Sequence, residues 1–250
     1  MPTPLLYCAG KTAAARYAAW SLAQSGVRIA QEPGKDVRHV LLDVPSFDKN
    51  GNLRSGGSLE ALLKKFSPDV TVFGGNLEGL EFPSRVDFLK DPLYQAENAY
   101  ITAECTLEIA LERLPRTIRG CPVLIVGWGR IGRCLSKLLT ALGADVAIAA
   151  RKESDRALSQ ALGYRAEDIP DLTGHLSLFR LLINTVPAPI LPQEAVALCG
   201  PDCVKIELAS RTGLEGEDIV VARGLPGTHM PESSGQLIAR TSLRLRKEVL

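Results

Sequence analysis

The chain has little of several features that mark particular classes of protein. Basic and acidic residues are almost balanced, 29 against 28 among 250 residues, which argues against general nucleic-acid binding. Aromatic residues make up only 5% of the chain, so stacking platforms for single-stranded nucleic acid are not indicated either. Uncharged apolar runs stay well short of the ~20 residues that span a bilayer. These absences leave an ordinary globular protein of one large domain or two modest ones.

Histidine and closely spaced cysteine are also scarce. There are three histidines, and Cys199 and Cys203 have no second close pair of cysteines that would complete a zinc site, so we expect no metal. Scattered thiols of this kind are typical of a cytoplasmic protein. The first residues show no basic stretch followed by a long apolar run, and we expect no secretory signal peptide.

The clearest motif lies in the middle of the chain, directly after a buried strand predicted at Pro122–Val126. Its residues are Gly127, Trp128, Gly129, Arg130, Ile131 and Gly132. Apolar residues then recur at helical spacing up to Gly143, and Asp145–Ala150 predicts the next strand. Within this context G-x-G-x-x-G is the fingerprint of dinucleotide binding. We predict that the six residues hold the pyrophosphate of a cofactor at the start of the helix.

The second strand of this unit predicts which nicotinamide cofactor is bound. NAD-binding proteins carry Asp or Glu about twenty residues after the glycines, where it accepts a hydrogen bond from the ribose. Here Arg151 and Lys152 follow the neutral residues Ala149 and Ala150. A guanidinium pairs with a 2′-phosphate, whereas a carboxylate repels it, so NADP is favoured over NAD. The alternative is that Arg151 only begins a solvent-exposed helix.

Predicted strands and helices keep alternating after the glycine motif. Apolar runs at Leu181–Asn184, Val204–Leu208 and Ile219–Val221 predict further strands, and Glu153–Leu162 predicts a helix. This alternation is typical of an α/β fold with a doubly wound parallel sheet of the Rossmann type. We therefore predict an NAD(P)-binding Rossmann domain over residues 118–228.

A second α/β pattern occupies the first ninety residues. Strands are predicted at Leu5–Cys8, Val27–Ala30, Val37–Val44 and Val70–Phe73, with an alanine-rich helix at Thr12–Gln24. We predict a smaller, flavodoxin-like α/β domain over residues 1–93. A helical linking segment, 94–117, would join it to the Rossmann domain.

The chain ends in another predicted helix, over residues 233–250. Ser233 and Gln236 have the spacing of a capping box at its start. We expect this helix to pack back onto the smaller domain.

Five motifs together resemble the A subunit of dipicolinate synthase. They are the glycine turn, Leu182–Pro187, Glu207–Arg211, Gly224–Gly227 and Ser234–Ile238, in order across residues 120–245. The resemblance implies a two-domain protein similar in build to the formate/glycerate dehydrogenase and adenosylhomocysteinase group. It also implies an oxidoreductase that converts a 4-hydroxytetrahydrodipicolinate, a small dicarboxylate, to dipicolinate in endospore formation. A flavoprotein-like B subunit is the implied partner, and we expect a homo-oligomer.

A polar segment follows the strand Leu181–Asn184 of the predicted Rossmann sheet, where ligands of such sheets bind. Asn184, Thr185 and Val186 are expected to face the nicotinamide and its ribose. The alternative is that they only shape the turn before a proline.

A second polar segment, Ser210 and Arg211, follows the strand Val204–Leu208. An arginine there can bind a substrate carboxylate through two parallel hydrogen bonds, which suits a dicarboxylate. The alternative for Arg211 is a structural salt bridge to Glu207 or Glu215.

Candidates for proton transfer are few. Gly227, Thr228 and His229 end the Rossmann domain and are expected to line the substrate cleft, where the imidazole of His229 could move a proton near neutral pH. Glu104, on the linking helix, is the candidate acid. The alternatives are an exposed histidine and a solvated acidic helix face.

Two other functions remain open at this point. A dehydrogenase of the 2-hydroxyacid type is one, although no carboxylate is convincingly placed to orient His229. A non-enzymatic dinucleotide-binding or scaffold protein that kept the fold is the other.

Overall fold

Two parallel β-sheets organise the chain in the computed structural model, which describes residues 5–78 and 84–249. The strands are β1 (Leu5–Cys8), β2 (Arg28–Ala30), β3 (Val37–Leu41), β4 (Thr71–Gly74), β5 (Ser84–Asp87), β6 (Pro122–Val126), β7 (Asp145–Ala149), β8 (Arg165–Glu167), β9 (Leu181–Asn184), β10 (Val204–Glu207) and β11 (Ile219–Val221). The helices are α1 (Ala13–Gln24), α2 (Leu59–Leu63), α3 (Pro92–Arg113), α4 (Arg130–Ala141), α5 (Glu153–Ala161), α6 (Gln193–Val196), α7 (Leu225–His229) and α8 (Pro231–Val249).

The chain divides into two units. The first comprises the residues up to Ile101 together with those from Pro226 onward, and the second runs from Thr102 to Leu225. Among the described residues, no helix is both long and apolar enough to cross a membrane. The same residues contain no group of three side chains that could hold a metal ion.

The sheet of the first unit has the strand order β2-β1-β3-β4-β5, with every pair parallel. This is the order of flavodoxin-like folds. The sheet of the second unit has the order β11-β10-β9-β6-β7-β8, again entirely parallel. Counted along this unit, the order is the 3-2-1-4-5-6 of the dinucleotide-binding fold. The predicted fold class is confirmed.

One strand end in the first unit is fixed by a buried carboxylate. Asp43 follows β3 and accepts hydrogen bonds from the backbone N–H of Lys11 (3.2 Å) and of Thr12 (3.0 Å) and from the Thr12 hydroxyl (2.6 Å). Thr12 in turn caps α1 by accepting from the N–H of Ala15. The strand predicted to reach Val44 therefore ends at Leu41, because the chain turns to bring Asp43 to the start of α1.

Helix α8 packs against α1 in the first unit. A Cβ atom on Gly235 would lie 2.4 Å from the Tyr17 Cβ and 2.6 Å from the Ala14 carbonyl oxygen, so only glycine allows this approach. Arg240 pairs with Glu97 of α3 at 2.7 Å. The helix begins at Pro231, two residues before its predicted start. Ser233 consequently lies inside the helix, and the predicted capping box is wrong.

Candidate functional site

The glycine turn after β6 packs so tightly that two of its residues must be glycine. Gly127 has a φ of +108°, and a Cβ there would lie 2.3 Å from the Thr185 hydroxyl oxygen and 2.8 Å from a Val186 methyl carbon. A Cβ on Gly132 would lie 2.2 Å from the Gly127 carbonyl oxygen. All these distances are far below van der Waals contact. The turn therefore brings the start of α4 directly against the end of β6.

The third glycine, Gly129, differs from these two because the structure leaves open space around it. A Cβ on it would meet nothing within 4 Å, and the residue is exposed at the N-cap position of α4. Its neighbour Arg130 is exposed and Ile131 is half-buried. In the described residues no side chain caps this helix, so its first N–H groups are available to an anion. An open turn of bare backbone before an uncapped helix fits the pyrophosphate of a dinucleotide.

Thr185 and Val186 lie beside this turn, at the end of β9. The backbone N–H and the hydroxyl of Thr185 both donate to the Val126 carbonyl oxygen, each at 2.9 Å. Strands β6 and β9 are neighbours at the point where the strand order of the sheet reverses. Ligands of open α/β sheets bind beyond the strand ends at that point. The structure thus brings together the glycine turn and the Thr185 segment, as a cofactor site requires.

The side chain of Asn184 forms its hydrogen bonds inside the protein, at this edge of the sheet. It is fully buried, and its amide nitrogen donates to both carboxylate oxygens of Glu207, at 2.9 and 3.0 Å, and to the Val186 carbonyl oxygen. Its amide oxygen accepts from the Val186 N–H at 3.0 Å. The side chain is thus engaged inside the protein, and the half-buried Thr185 and Val186 are the members of this segment that reach the surface.

The fully buried carboxylate of Glu207 organises the loop that follows β10. Besides Asn184, it accepts from the N–H groups of Ala209 (2.9 Å), Gly213 (2.8 Å) and Leu214 (3.0 Å). Sequence reasoning considered Glu207 only as a partner for Arg211 and missed this role. A carboxylate at the last position of an apolar strand was the available signal, because a buried charge needs several hydrogen bonds.

Ser210 and Arg211 are held at the exposed tip of this loop. Arg223 supports the loop from outside by donating to the Ala209 carbonyl oxygen at 3.0 Å and to the Thr212 hydroxyl at 3.1 Å. In the part of the chain that the structure describes, Arg211 forms no ion pair with Glu207 or Glu215. The guanidinium is therefore presented to solvent on a loop with a fixed base.

Arg151 and Lys152 are exposed just beyond the end of β7. Arg156 lies beneath them and donates to the carbonyl oxygens of Ala150 (2.8 Å) and Arg151 (3.0 Å), while its guanidinium pairs with Asp168 at 3.0 Å. The nearby carboxylate of Glu167 is bound by Arg165 at 3.2 Å.

Over the described residues, the two exposed cations have no acidic partner of their own. The carboxylates of Asp168 and Glu167 at this end of the sheet are already paired with other arginines.

Trp128, the second residue of the glycine turn, points its side chain into the protein. The residue is 5% exposed, and its ring lies edge-on to Tyr164, with ring centroids 5.6 Å apart. The Arg133 guanidinium lies 5.5 Å from the Trp128 centroid and donates to the Trp128 carbonyl oxygen at 3.1 Å. What this residue can offer a cofactor is consequently its backbone.

The proposed proton-transfer residues lie in different units. Glu104 is half-buried on α3 and belongs to the second unit. Gly227, Thr228 and His229 belong to the first unit, where Thr228 and His229 are exposed. These three residues form part of the short helix α7.

Comparison with known proteins supports the resemblance in the sequence. No family model matches the chain. The A subunit of dipicolinate synthase from Bacillus subtilis (strain 168) is 31% identical over 160 residues, which cover 61% of this chain and 54% of that protein, about half of its length.

Two solved structures share the fold over almost the whole chain. The A subunit of dipicolinate synthase from Bacillus halodurans superposes with a TM-score of 0.84 at 21% identity, covering 98% of both chains. Its counterpart from Bacillus subtilis gives a TM-score of 0.79 at 20% identity, covering 100% of this chain and 97% of that one. The predicted resemblance is confirmed: in sequence and in fold, this chain is similar to the A subunit of dipicolinate synthase.

Proposed function

We propose that the chain is an NADP-linked oxidoreductase of the type found in the A subunit of dipicolinate synthase. The observation that carries the proposal is the open glycine turn at the point where the strand order reverses, beside Thr185. Its uncapped helix start and the free space over Gly129 suit a dinucleotide pyrophosphate. The backbone of Gly127–Gly132 would hold that group, and Thr185 and Val186 would contact the nicotinamide end.

Selection of NADP is assigned to Arg151 and Lys152. Both are exposed beyond β7, and among the described residues neither has an acidic partner, whereas Glu167 and Asp168 are bound by other arginines. A guanidinium that is not already paired can bind a 2′-phosphate through two hydrogen bonds. No carboxylate stands at the strand end to accept from the ribose of NAD.

The substrate would be a small dicarboxylate, a 4-hydroxytetrahydrodipicolinate. Arg211 is the proposed carboxylate ligand, because its guanidinium is exposed on a loop whose base is fixed by Glu207 and Arg223. Ser210 would add a hydroxyl donor at the same tip. A ligand held by groups that need not rearrange is bound at a lower entropic cost.

The proposed reaction removes water from the 4-hydroxylated ring and then two hydrogens, which makes the pyridine ring aromatic. When bound, the nicotinamide supplies the hydride acceptor. Glu104 is proposed to give a proton from its carboxyl group to the departing hydroxyl, and the resulting carboxylate then takes the ring proton that is lost in the same dehydration. His229 is proposed to take, at its imidazole nitrogen, the second ring proton, which leaves with the hydride, because an imidazole can act as a general base.

The resemblance extends the proposal to partners and setting. A protein similar to the A subunit of a synthase is expected to work with a second subunit, in this case a flavoprotein-like one, during endospore formation. A cytoplasmic location is proposed because all six cysteines of the chain are free thiols.

The test is a turnover assay with the full chain, 4-hydroxytetrahydrodipicolinate and either NADP or NAD. Absorbance at 340 nm should rise with NADP, and mass spectrometry should detect dipicolinate in equal amount. Adding the second subunit shows whether it is required. Reduction of the cofactor by simple 2-hydroxyacids alone would indicate the dehydrogenase alternative. Cofactor binding without turnover of any substrate, with the second subunit present, would indicate a non-enzymatic binding protein.

A further inference from the structure

The exposed aromatic side chains of the described residues are concentrated on one part of the first unit. Trp20 is 59% exposed, Tyr100 is 43% exposed and Tyr17 is 39% exposed, and the other large apolar side chains with such exposure are aliphatic. The chain as a whole is only 5% aromatic. Exposed Trp and Tyr are costly to leave in water and are typical of protein–protein contact surfaces. Their clustering here indicates a surface that another protein chain covers.

Two grooves carry these side chains, one on each side of the first turn of α8. The groove next to α1 has a volume of about 580 Å³ and is lined by Ala13, Arg16, Tyr17, Trp20, Pro231 and Glu232. The groove next to α3 has a volume of about 370 Å³ and is lined by Glu97, Tyr100, Ile101, Ser233, Gln236 and Arg240. We call the two grooves together the α8 face. Either groove has room for an aromatic side chain.

The α8 face is held rigid by the packing beneath it. Gly235 lets the backbones of α1 and α8 approach so closely that no Cβ would fit between them. The Arg240–Glu97 ion pair at 2.7 Å joins α8 to α3. A surface that is already ordered loses little conformational entropy on association, which favours binding.

The charges of the α8 face suit a second copy of the same chain. Arg16 and Glu232 lie in the groove next to α1, and Glu97 and Arg240 lie in the groove next to α3. Glu97 and Arg240 already pair with each other, so Arg16 and Glu232 are the charges of the α8 face that can meet a second copy, and a two-fold axis allows Arg16 of each copy to lie opposite Glu232 of the other.

We propose that the α8 face is a two-fold self-association surface, in which Trp20 of each copy enters a groove of the other. A protruding indole beside a groove of adequate volume is the self-complementary arrangement that a two-fold contact requires. Trp, Tyr and Arg, all present on this face, are the residues that dominate binding energy in such contacts.

The first test measures the mass of the full chain in solution by sedimentation equilibrium. The unmodified protein should form a dimer, and Trp20→Glu and Tyr100→Glu should each raise its dissociation constant at least ten-fold. Leu178→Glu is the matched control, since Leu178 is an equally exposed apolar residue (58%) of the second unit, and it should leave the dimer unchanged. The far-UV circular dichroism spectrum of the folded state should be the same for all four proteins, which shows that the substitutions leave the fold intact.

The second test uses the fact that Trp20 and Trp128 are the two tryptophans of the chain. Trp128 is buried, so acrylamide should quench mainly the fluorescence of Trp20, and Trp20→Phe identifies that component. Quenching should fall as the protein concentration rises through the dissociation constant. Each of three results would overturn the proposal. The chain could stay monomeric, the dimer could remain intact in Trp20→Glu and Tyr100→Glu, or the quenching could be independent of protein concentration.

Discussion

The two units build the same local structure, a parallel strand followed by a turn and a helix, and use it in opposite ways. In the first unit the start of α1 is occupied from within, because Asp43 binds the N–H groups of Lys11 and Thr12. In the second unit the start of α4 is left uncapped behind the open turn at Gly129. A helix start attracts an anion in both cases. The difference is that one unit supplies its own carboxylate, and the other is left free for a ligand.

A related contrast concerns the buried carboxylates. Asp43 joins a strand end to a helix start, whereas Glu207 joins a strand end to a loop and to Asn184 of the neighbouring strand. Both are almost completely buried. In each unit a carboxylate of this kind collects backbone N–H groups at the carboxyl edge of the sheet, and this fixes the positions of the residues around it.

The largest expected effect comes from removing the Glu207 carboxylate. Glu207→Ala leaves the Asn184 amide and three buried N–H groups without their acceptor, so the free energy of unfolding should fall by roughly 3–5 kcal/mol. Glu207→Gln, which keeps one acceptor oxygen, should lose less. Urea unfolding measures both, with the exposed Glu215→Ala as control. Equal stability of Glu207→Ala and the control would show that the loop does not depend on this carboxylate.

The next effect tests whether Asp43 acts as an internal anion. Asp43→Ala should lower the free energy of unfolding by roughly 2–3 kcal/mol, since it removes a charged acceptor from the start of α1. Added sulfate should then stabilise the variant more than the unmodified chain, because the vacated N–H groups can bind it. The exposed Asp36→Ala is the control. A sulfate response that matches that of the unmodified chain would contradict the comparison between the two helix starts.

The smallest effect concerns the ligand side of the comparison. If Arg151 binds the 2′-phosphate, NADP should bind more tightly than NAD, and Arg151→Asp should reverse this order. Because Arg151 is exposed and screened by salt, the change should be about 1.5 kcal/mol, or ten-fold in affinity. Calorimetry measures it. The control is Arg119→Asp, which should change neither affinity, because Arg119 precedes β6 and so lies at the other edge of the sheet. If the unmodified protein binds NADP and NAD with equal affinity, Arg151 does not select the cofactor.

The sequence predicted those parts of the fold that depend on local patterns. The apolar runs of β6 and β9 and the glycine turn between strand and helix were predicted with their observed bounds. Strands β5 and β8 were missed, because each is a short, largely polar strand at the edge of its sheet. Edge strands of this kind are formed by pairing with a neighbour, and their own residues give little sign of it.

The candidate site could be predicted only in part for a similar reason. Its glycine motif was recognisable from the spacing of the glycines between a predicted strand and a predicted helix, and the φ angle of Gly127 and the close approach at Gly132 explain two of them. The Asn184–Glu207 interaction could not be recognised in the sequence, because it joins residues 23 positions apart and depends on the pairing of β9 with β10. A polar residue after a strand is compatible with a ligand-binding role and with an interior one. Burial decides between them, and burial is a property of the assembled sheet.

The loop after β10 has a consequence for how this protein can change over evolutionary time. Glu207, Gly213 and Arg223 hold its base, while Ser210 and Arg211 at the tip contribute little to that support. Substitutions at the tip should therefore alter which small molecule is bound without endangering the fold, and those at the base should do the reverse. Different residues of the loop thus determine ligand preference and the stability of the fold. Substitutions at Ser210 and Arg211 can therefore change the ligand that is bound with little loss of stability.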